Sequence, residues 1–316
     1  MEEILGIVKD LVSPTKKLID AVQGAIGKAY EPRHVRKMAE AKAYEIEKVG
    51  QAMRDNSDIA ITYDKGNLEL DTTDFDMFVK RAQNRLAYQE LTKQKNIEKV
   101  VETTYSNLKD GELVLDEPVD NDWMLRFFND VEDIGNEGMQ YIWAKVLAGE
   151  IKHPKSVSLR TLSVLKNLGQ NEATEFKQIV TFVLRAPGNK SKDVEDYFLL
   201  SDILDKYGFE YSILERLTDA GLIFTTPGVA TYINISSDSE EYVIGKDKKL
   251  RIYNKSDNNI YIQSPAYTLT QAGKELYKTV FLENSIELPN EYIEDCLNIL
   301  LSSIKKEDVI TEILPI

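Results

Sequence analysis

Apolar residues recur at helical spacing near the start of the chain. They predict amphipathic helices over residues 2–12 and 14–29, the second with Ser13 as its N-cap and Pro14 at its first helical position. A third helix is predicted over residues 32–54, rich in alanine and charge and poor in large apolar side chains. The chain therefore begins as a series of helices whose apolar faces need a partner surface.

Over residues 59–109 the apolar residues change from alternate positions, typical of strands, to helical spacing. Alternating residues on both sides of residues 64–67 (Asp-Lys-Gly-Asn) predict a β-hairpin over residues 59–70. Residues 72–109 then predict one long helix. Its middle, residues 93–96, is polar on all sides, which predicts that this part crosses solvent or meets a partner.

Four apolar stripes over residues 119–185 predict three or four compact helices. Trp123 and Trp143 lie at helical spacing in the first two stripes, so both are expected in the core. Pro187 and Gly188 mark a boundary after these helices.

The pattern changes again from Tyr197 to about Thr279. Two short helices are followed by β-rich stretches and by the segment YTLTQAGKELY, a strand running into a helix, which together resemble a winged helix. The predicted fold class is mainly α, with a smaller α+β winged-helix-like domain and with a long helix and a β-hairpin in the N-terminal half. The predicted domains are N-terminal amphipathic helices (1–56), hairpin and long helix (57–116), a compact helical domain (117–188), the winged-helix-like domain (189–282) and a C-terminal helix (283–316).

Charge is distributed unevenly along the chain. The 316 residues carry a net charge of -14, which argues against phosphate binding over the whole surface. Residues 11–54, however, hold nine Lys or Arg against five acidic residues, a net charge of about +4. The N-terminal helices are therefore a candidate interaction surface.

Two kinds of partner fit these helices. They could lie on an anionic membrane surface, or pack their apolar stripe on the long helix, a sister subunit or another protein. The candidate interaction residues are Lys16, Lys17, Lys28, Arg33, Arg36, Lys37, Trp123 and Trp143. The start of the chain lacks the cationic segment and apolar core of a signal peptide, which predicts a cytoplasmic protein, with the inner membrane face as an alternative location.

Candidate chemistry is sparse. Cys296 is the single cysteine, and His34 and His153 are the two histidines, too few ligands for a Cys/His zinc site. The sequence contains no phosphate-binding glycine loop and no G-x-S-x-G nucleophile motif. We therefore predict no catalytic, cofactor-binding or metal-binding residue, and no cofactor.

The best enzyme hypothesis is a metal-dependent nuclease. Residues 150–152 have the form E-x-K, with Asp130 and Asp133 upstream, and such chemistry needs carboxylates and a lysine around a divalent cation. The alternative is that Glu150 lies at a solvated helix end.

A winged helix raises the alternative of DNA binding. Its expected recognition helix carries Glu210, Glu215 and Asp219 against the single cation Arg216, a poor set for reading the major groove. The expected wing holds cations and acids together (Lys246, Lys248, Lys249, Arg251, Glu240, Glu241 and Asp247). Nucleic acid is therefore a less favoured partner than protein.

A block of aromatic and small residues resembles a bacterial family known only as a domain of unknown function, number twenty-eight-oh-six (DUF2806). The resembling segments are Asp122-Trp123, Arg126-Phe127-Phe128, Trp143-Ala144-Lys145, Leu147-Ala148-Gly149-Glu150 and Ser158-Leu159-Arg160-Thr161-Leu162. The upstream run from Arg81 to Glu98 and the start from Pro14 to Gly27 are similar to the same family. Lys155 departs from the glycine expected after Pro154.

The N-terminal Ala-rich helices are also similar to abortive-infection alpha-type proteins, which implies a role in bacterial defence against phage. The predicted function is thus a non-enzymatic phage-defence scaffold or effector, expected to be a homo-oligomer, that acts through protein or membrane contacts. The alternatives are a DNA-binding winged-helix regulator and a cryptic metal-dependent nuclease.

Overall fold

The computed structural model describes residues 11–26, 44, 48, 61–64, 67–70, 73–108, 114–186, 196–224, 230–235, 239–244, 248–255, 260–282, 288–302 and 309–315. The chain forms two compact units, Met1–Ala144 and Lys145–Ile316. The fold is mainly helical with antiparallel sheets, as the apolar pattern predicts.

The helices occupy much of the described chain. They are α1 (Pro14–Ile26), α2 (Thr73–Asn107), α3 (Asn121–Val131), α4 (Glu137–Lys152), α5 (Leu159–Asn167), α6 (Gln170–Ile179), α7 (Ser201–Leu204), α8 (Tyr211–Asp219), α9 (Gln271–Leu276) and α10 (Asn290–Leu301). The predicted long helix over residues 72–109 is confirmed as α2, and Ser13 caps α1, since the Lys16 N–H donates to Ser13 Oγ over 3.2 Å.

The strands are short and antiparallel. They are β1 (Leu11–Val12), β2 (Ile61–Asp64), β3 (Asn67–Leu70), β4 (Val114–Leu115), β5 (Leu184–Ala186), β6 (Asp196–Leu200), β7 (Ile223–Phe224), β8 (Ala230–Ile235), β9 (Ser239–Ile244), β10 (Lys248–Asn254), β11 (Ile260–Leu269) and β12 (Val309–Pro315). The predicted hairpin over residues 59–70 is confirmed, because β2 pairs with β3 and Asp64 lies opposite Asn67.

The core of the N-terminal unit is aromatic. α1 and α2 both pack against α3. Trp123 stacks on Phe127 with ring centroids 5.2 Å apart, and Phe127 meets Trp143 edge to face at 5.3 Å. Both tryptophans are buried, as their helical spacing predicts. Asp120 starts α3 by accepting the Trp123 N–H over 2.8 Å.

The polar middle of α2 does not cross solvent; of the two predicted alternatives it meets a partner, the chain segment between α3 and α4. Asn96 is buried, and its Nδ2 donates to the Glu132 carbonyl over 2.8 Å. Gln140 donates to Asn96 Oδ1 over 3.2 Å, and Lys93 forms an ion pair with Glu132. The chain segment between α3 and α4 thus satisfies these polar groups within the unit.

The C-terminal unit is built on a sheet. Among the described residues, eight strands join it in the order β12-β10-β9-β5-β6-β11-β7, with β8 also paired to β11. α10 packs its apolar side on one face of this sheet. The core there contains Leu184, Leu200, Leu250, Ile252, Tyr292, Cys296 and Leu300.

Several strands of this sheet were not predicted. The first of the two short helices predicted from Tyr197 onward was expected to include Leu199 and Leu200. These residues instead end β6, and α7 begins only at Ser201. The β12 segment, VITEILP, was assigned no strand, yet it pairs with β10 along its whole length. Apolar residues such as those of β6 and β12 fit either a helix or a strand, and pairing with neighbouring strands of the sheet decides their conformation.

Candidate functional site

An apolar groove in the N-terminal unit is lined by α1 and α2. Its volume is about 600 Å³. The lining residues are Leu18, Ile19, Val22 and Gln23 from α1 and Glu98, Val101, Glu102 and Tyr105 from α2. We call this feature the α1–α2 groove.

The groove has a buried floor and an exposed apolar rim. Leu18 and Val22 are buried, whereas Ile19 is 48 % exposed and Tyr105 is 55 % exposed. The apolar stripe predicted for α1 is therefore wider than its contact with α3, and Ile19 faces solvent at its edge. Exposed apolar side chains that converge on a concave surface are typical of a binding site.

Acidic side chains follow one edge of the groove. Glu98 and Glu102 are one helical turn apart on α2. Glu98 accepts a hydrogen bond from Gln94 Nε2 over 3.0 Å, and Glu102 lies 3.6 Å from Lys99 Nζ. Both carboxylates are held by neighbours on their own helix and keep oxygens available for a further cation.

The four predicted interaction residues that the structure describes do not share one exposed surface. Lys16 is exposed on α1, while the adjacent Lys17 is only 5 % exposed. Trp123 and Trp143 lie in the core described above. The remaining predicted cations lie outside the described residues (Lys28, Arg33, Arg36 and Lys37).

Glu150 does not lie at a solvated helix end, so that expectation is wrong. It belongs to α4, which continues to Lys152, and it is buried. Its carboxylate accepts the Lys155 N–H over 2.5 Å, the Val157 N–H over 3.0 Å and the Ser156 hydroxyl over 3.3 Å. Burial raises the pKa of Glu150, and these hydrogen bonds partly offset the rise.

The hydrogen bonds of Glu150 shape the loop that follows α4. Lys155 adopts a φ of 69°, the left-handed region that favours glycine, at the position where a glycine was expected. The Glu150 carboxylate thus stabilises a loop, and the described residues contain no cluster of three or more His, Cys, Asp or Glu side chains that could hold a metal ion.

The S-L-R-T-L segment also has a structural explanation. Ser158 caps α5, and Glu275 of α9 accepts the Ser158 N–H over 2.7 Å and the Thr161 hydroxyl over 2.5 Å. Sequence reasoning missed Glu275, because its partners lie more than a hundred residues away along the chain. Its carboxylate joins α9 to the start of α5.

The expected recognition helix is α8, and its cation has a partner. Arg216 forms an ion pair with Glu175 of α6, in which Nε donates to Oε2 over 3.3 Å. Tyr211, at the start of α8, is exposed. An arginine engaged in this way is poorly placed to contact a base.

Comparison with known proteins gives a family and no named relative. No curated protein and no solved structure matches the chain. In the part of the chain that the structure describes, no helix is both long and apolar enough to cross a membrane. One family matches residues 80–295, which is more than half of the chain. This chain therefore belongs to the family described as "Protein of unknown function (DUF2806)".

Proposed function

We propose that this protein is a non-enzymatic component of bacterial phage defence that acts by binding a partner protein. The observation that carries the proposal is the α1–α2 groove, with its apolar floor, exposed rim and acidic edge. The occupant we propose is an amphipathic helix of another protein, whose apolar face fills the groove and whose Lys or Arg residues flank that face.

The apolar contacts would supply most of the affinity. Covering the exposed parts of Ile19 and Tyr105 contributes about 1–1.5 kcal/mol each. An exposed ion pair to Glu98 or Glu102 adds about 0.2–1 kcal/mol, so the acidic edge selects the partner more than it tightens binding.

An anionic membrane suits this surface less well than a cationic helix. Glu98 and Glu102 repel anionic headgroups, and the burial of Lys17 removes one of the cations expected to contact them. The role in phage defence is the part of the proposal that rests only on the resemblance of the N-terminal sequence to abortive-infection alpha-type proteins.

The proposal is tested with two substitutions on the same helix. Tyr105 lines the groove, and Tyr88, 72 % exposed on α2, does not. Tyr105→Glu is expected to weaken the partner contact at least about tenfold, through lost apolar burial and charge repulsion. Cells that express the native chain or Tyr88→Glu should show reduced phage plaque counts, whereas cells with Tyr105→Glu should lose this protection.

Two results would contradict the proposal. The first is an absence of protection by the native chain. The second is a change of oligomeric state in Tyr105→Glu, measured by light scattering, since the groove would then hold a second copy of this chain. We propose that any homo-oligomer forms through another surface, so both variants should keep the native oligomeric state.

For the segment over residues 189–282 we propose a winged-helix-like module that does not read duplex DNA through α8. Thr270 caps α9 by accepting the Gly273 N–H over 3.0 Å, and its hydroxyl donates to the Gly221 carbonyl over 2.6 Å. The pairing of β7 and β8 with β11 supports a winged-helix-like sheet. The residues expected in the wing lie on β9 and β10 (Glu240, Glu241, Lys248, Lys249 and Arg251) or outside the described residues (Lys246 and Asp247). The ion pair between Arg216 and Glu175 disfavours the alternative of a major-groove reader.

A further inference from the structure

One row of side chains crosses four neighbouring strands of the C-terminal sheet. Lys249 of β10 lies opposite Val243 of β9, Val243 lies opposite Arg185 of β5, and Arg185 lies opposite Tyr197 of β6. Opposed residues of antiparallel strands point to the same face. Because neighbouring strands are about 4.8 Å apart, the backbones of Lys249 and Arg185 are separated by about 10 Å.

This row lies on the face away from the α10 core. Leu184 and Leu250, the chain neighbours of Arg185 and Lys249, are buried in that core, and side chains alternate between faces along a strand. On this face Arg185 and Lys249 are half-buried, whereas Tyr197, at the end of the row, is buried against Tyr277. The Nε of Arg185 is buried without a hydrogen-bond partner among the described residues, an arrangement that suits an incoming anionic oxygen.

Two lysines converge on the end of the row. Nζ of Lys274 lies 5.7 Å from the ring centroid of Tyr197, and Nζ of Lys278 lies 5.1 Å from it. The nearby carboxylate of Glu275 accepts from Ser158, Thr161 and Gln271. We name Lys249, Arg185, Lys274 and Lys278 together the cationic face.

An aromatic ring extends this face along β10. Tyr253 is four residues beyond Lys249, so both side chains point to the same side of the sheet. The guanidinium of Arg251 lies 5.8 Å from the Tyr253 ring centroid and 3.9 Å from Glu312 of β12, whose carboxylate also accepts from the Tyr253 hydroxyl over 3.5 Å. This carboxylate pairs with Arg251, which is therefore not counted among the cations that bind phosphate. Cations combined with an aromatic ring on a sheet are typical of surfaces that bind single strands, where phosphates meet the cations and bases stack on the ring.

We propose that the cationic face and Tyr253 bind single-stranded nucleic acid. Phosphates lie on the four cations, and a base stacks on Tyr253. The bases of a duplex are already stacked and paired inside it, so none can stack on Tyr253 and duplex DNA binds less well. This site lies within the C-terminal unit, and it is independent of the α1–α2 groove.

The experiment measures binding of the full chain to a labelled oligothymidylate of about 16 nucleotides by fluorescence anisotropy. Four phosphate contacts predict that affinity falls about 50-fold between about 50 and 200 mM salt. The double variant Lys274→Gln, Lys278→Gln retains two contacts and should lose only about sevenfold over the same range, from a weaker starting affinity. Lys278 is exposed, so Lys278→Gln alone gives an intermediate salt dependence in a variant whose fold is least disturbed.

The matched control removes two exposed cations elsewhere in the same unit, Arg160→Gln with Lys177→Gln. It should keep the native salt dependence. Tyr253→Ala should weaken binding about fivefold or more at every salt concentration, and Tyr253→Phe should restore it, because phenylalanine still stacks.

Four results would overturn the proposal. They are no binding by the native chain at about 50 mM salt, an equal loss in the control pair, equal or tighter binding of a duplex, and equal competition by polyglutamate. The last would show a surface for acidic polymers in general rather than for nucleic acid.

Discussion

Gly273 lies where α9 passes close to the backbone of Leu222. It lies in α9 and is buried. A Cβ at this position would lie 2.1 Å from the Leu222 carbonyl oxygen and 3.1 Å from the Leu222 carbonyl carbon. These are backbone atoms, so Gly273→Ala forces α9 and the Leu222 backbone apart.

The size of the effect follows from the contacts that this shift disturbs. The Leu222 carbonyl accepts the Thr270 N–H over 3.0 Å, and the Thr270 hydroxyl donates to the adjacent Gly221 carbonyl over 2.6 Å. Overpacking costs about 1–3 kcal/mol, and each weakened hydrogen bond about 1 kcal/mol. Alanine returns about 1 kcal/mol through helix propensity. The expected net loss of unfolding free energy is about 3 kcal/mol.

The assay is thermal unfolding followed by circular dichroism. A loss of about 3 kcal/mol lowers the midpoint by about 6–12 °C for a unit of this size. Gly24→Ala in α1 is the control, because a Cβ there meets no atom within 4 Å. It should leave the midpoint unchanged or raise it slightly. A Gly273→Ala variant as stable as the Gly24→Ala variant would refute the reasoning that a close backbone approach requires this glycine.

Two further predictions concern buried ionisable groups. Burial raises the pKa of Glu150 above its ordinary value of 4.5, so the folded chain binds the carboxyl proton more tightly than the unfolded chain does. The unfolding free energy of the native chain, relative to that of Glu150→Gln, should therefore fall as pH rises from about 4.5 through the raised pKa. Urea unfolding at several pH values measures this difference, and a constant difference would contradict it. Burial also raises the pKa of Cys296 to about 12, so a thiol reagent at pH about 8 should label the native chain only as fast as the C-terminal unit opens. Labelling at the rate of a free thiol would show that Cys296 is accessible.

Local patterns were sufficient for the helical framework and insufficient for the polar contacts. Periodicity gave α2 and the burial of Trp123 and Trp143, because those features depend on spacing within one helix. The partner of the polar middle of α2 could not be named from the sequence, since the groups that satisfy Asn96 lie 36 and 44 residues away along the chain. Glu150 was misread for a related reason: the loop that it stabilises comes after it, and only the fold shows that the helix continues past it.

The candidate binding sites also depend partly on local sequence pattern and partly on tertiary contacts. The apolar stripe of α1 was visible in the sequence, but the groove also needs Tyr105 and the acidic edge from α2, whose place beside α1 is a tertiary fact. The prediction that cations near the chain start form an interaction surface was based on a count of charges. Such a count does not distinguish exposed Lys16 from buried Lys17.

The cationic face shows why net charge is a weak guide to partners. A chain with a net charge of -14 is a poor candidate for binding nucleic acid if its charges are spread evenly. Strand register instead aligns Lys249 and Arg185, which are more than sixty residues apart along the chain. The helical segment that follows β11 places Lys274 and Lys278 beside Tyr197. Electrostatic screening limits the influence of remote acidic residues to about 8–10 Å at moderate salt, so the local arrangement decides what binds. The salt dependence of the native chain and of Lys274→Gln, Lys278→Gln therefore tests this local arrangement directly, whatever the net charge of the rest of the chain.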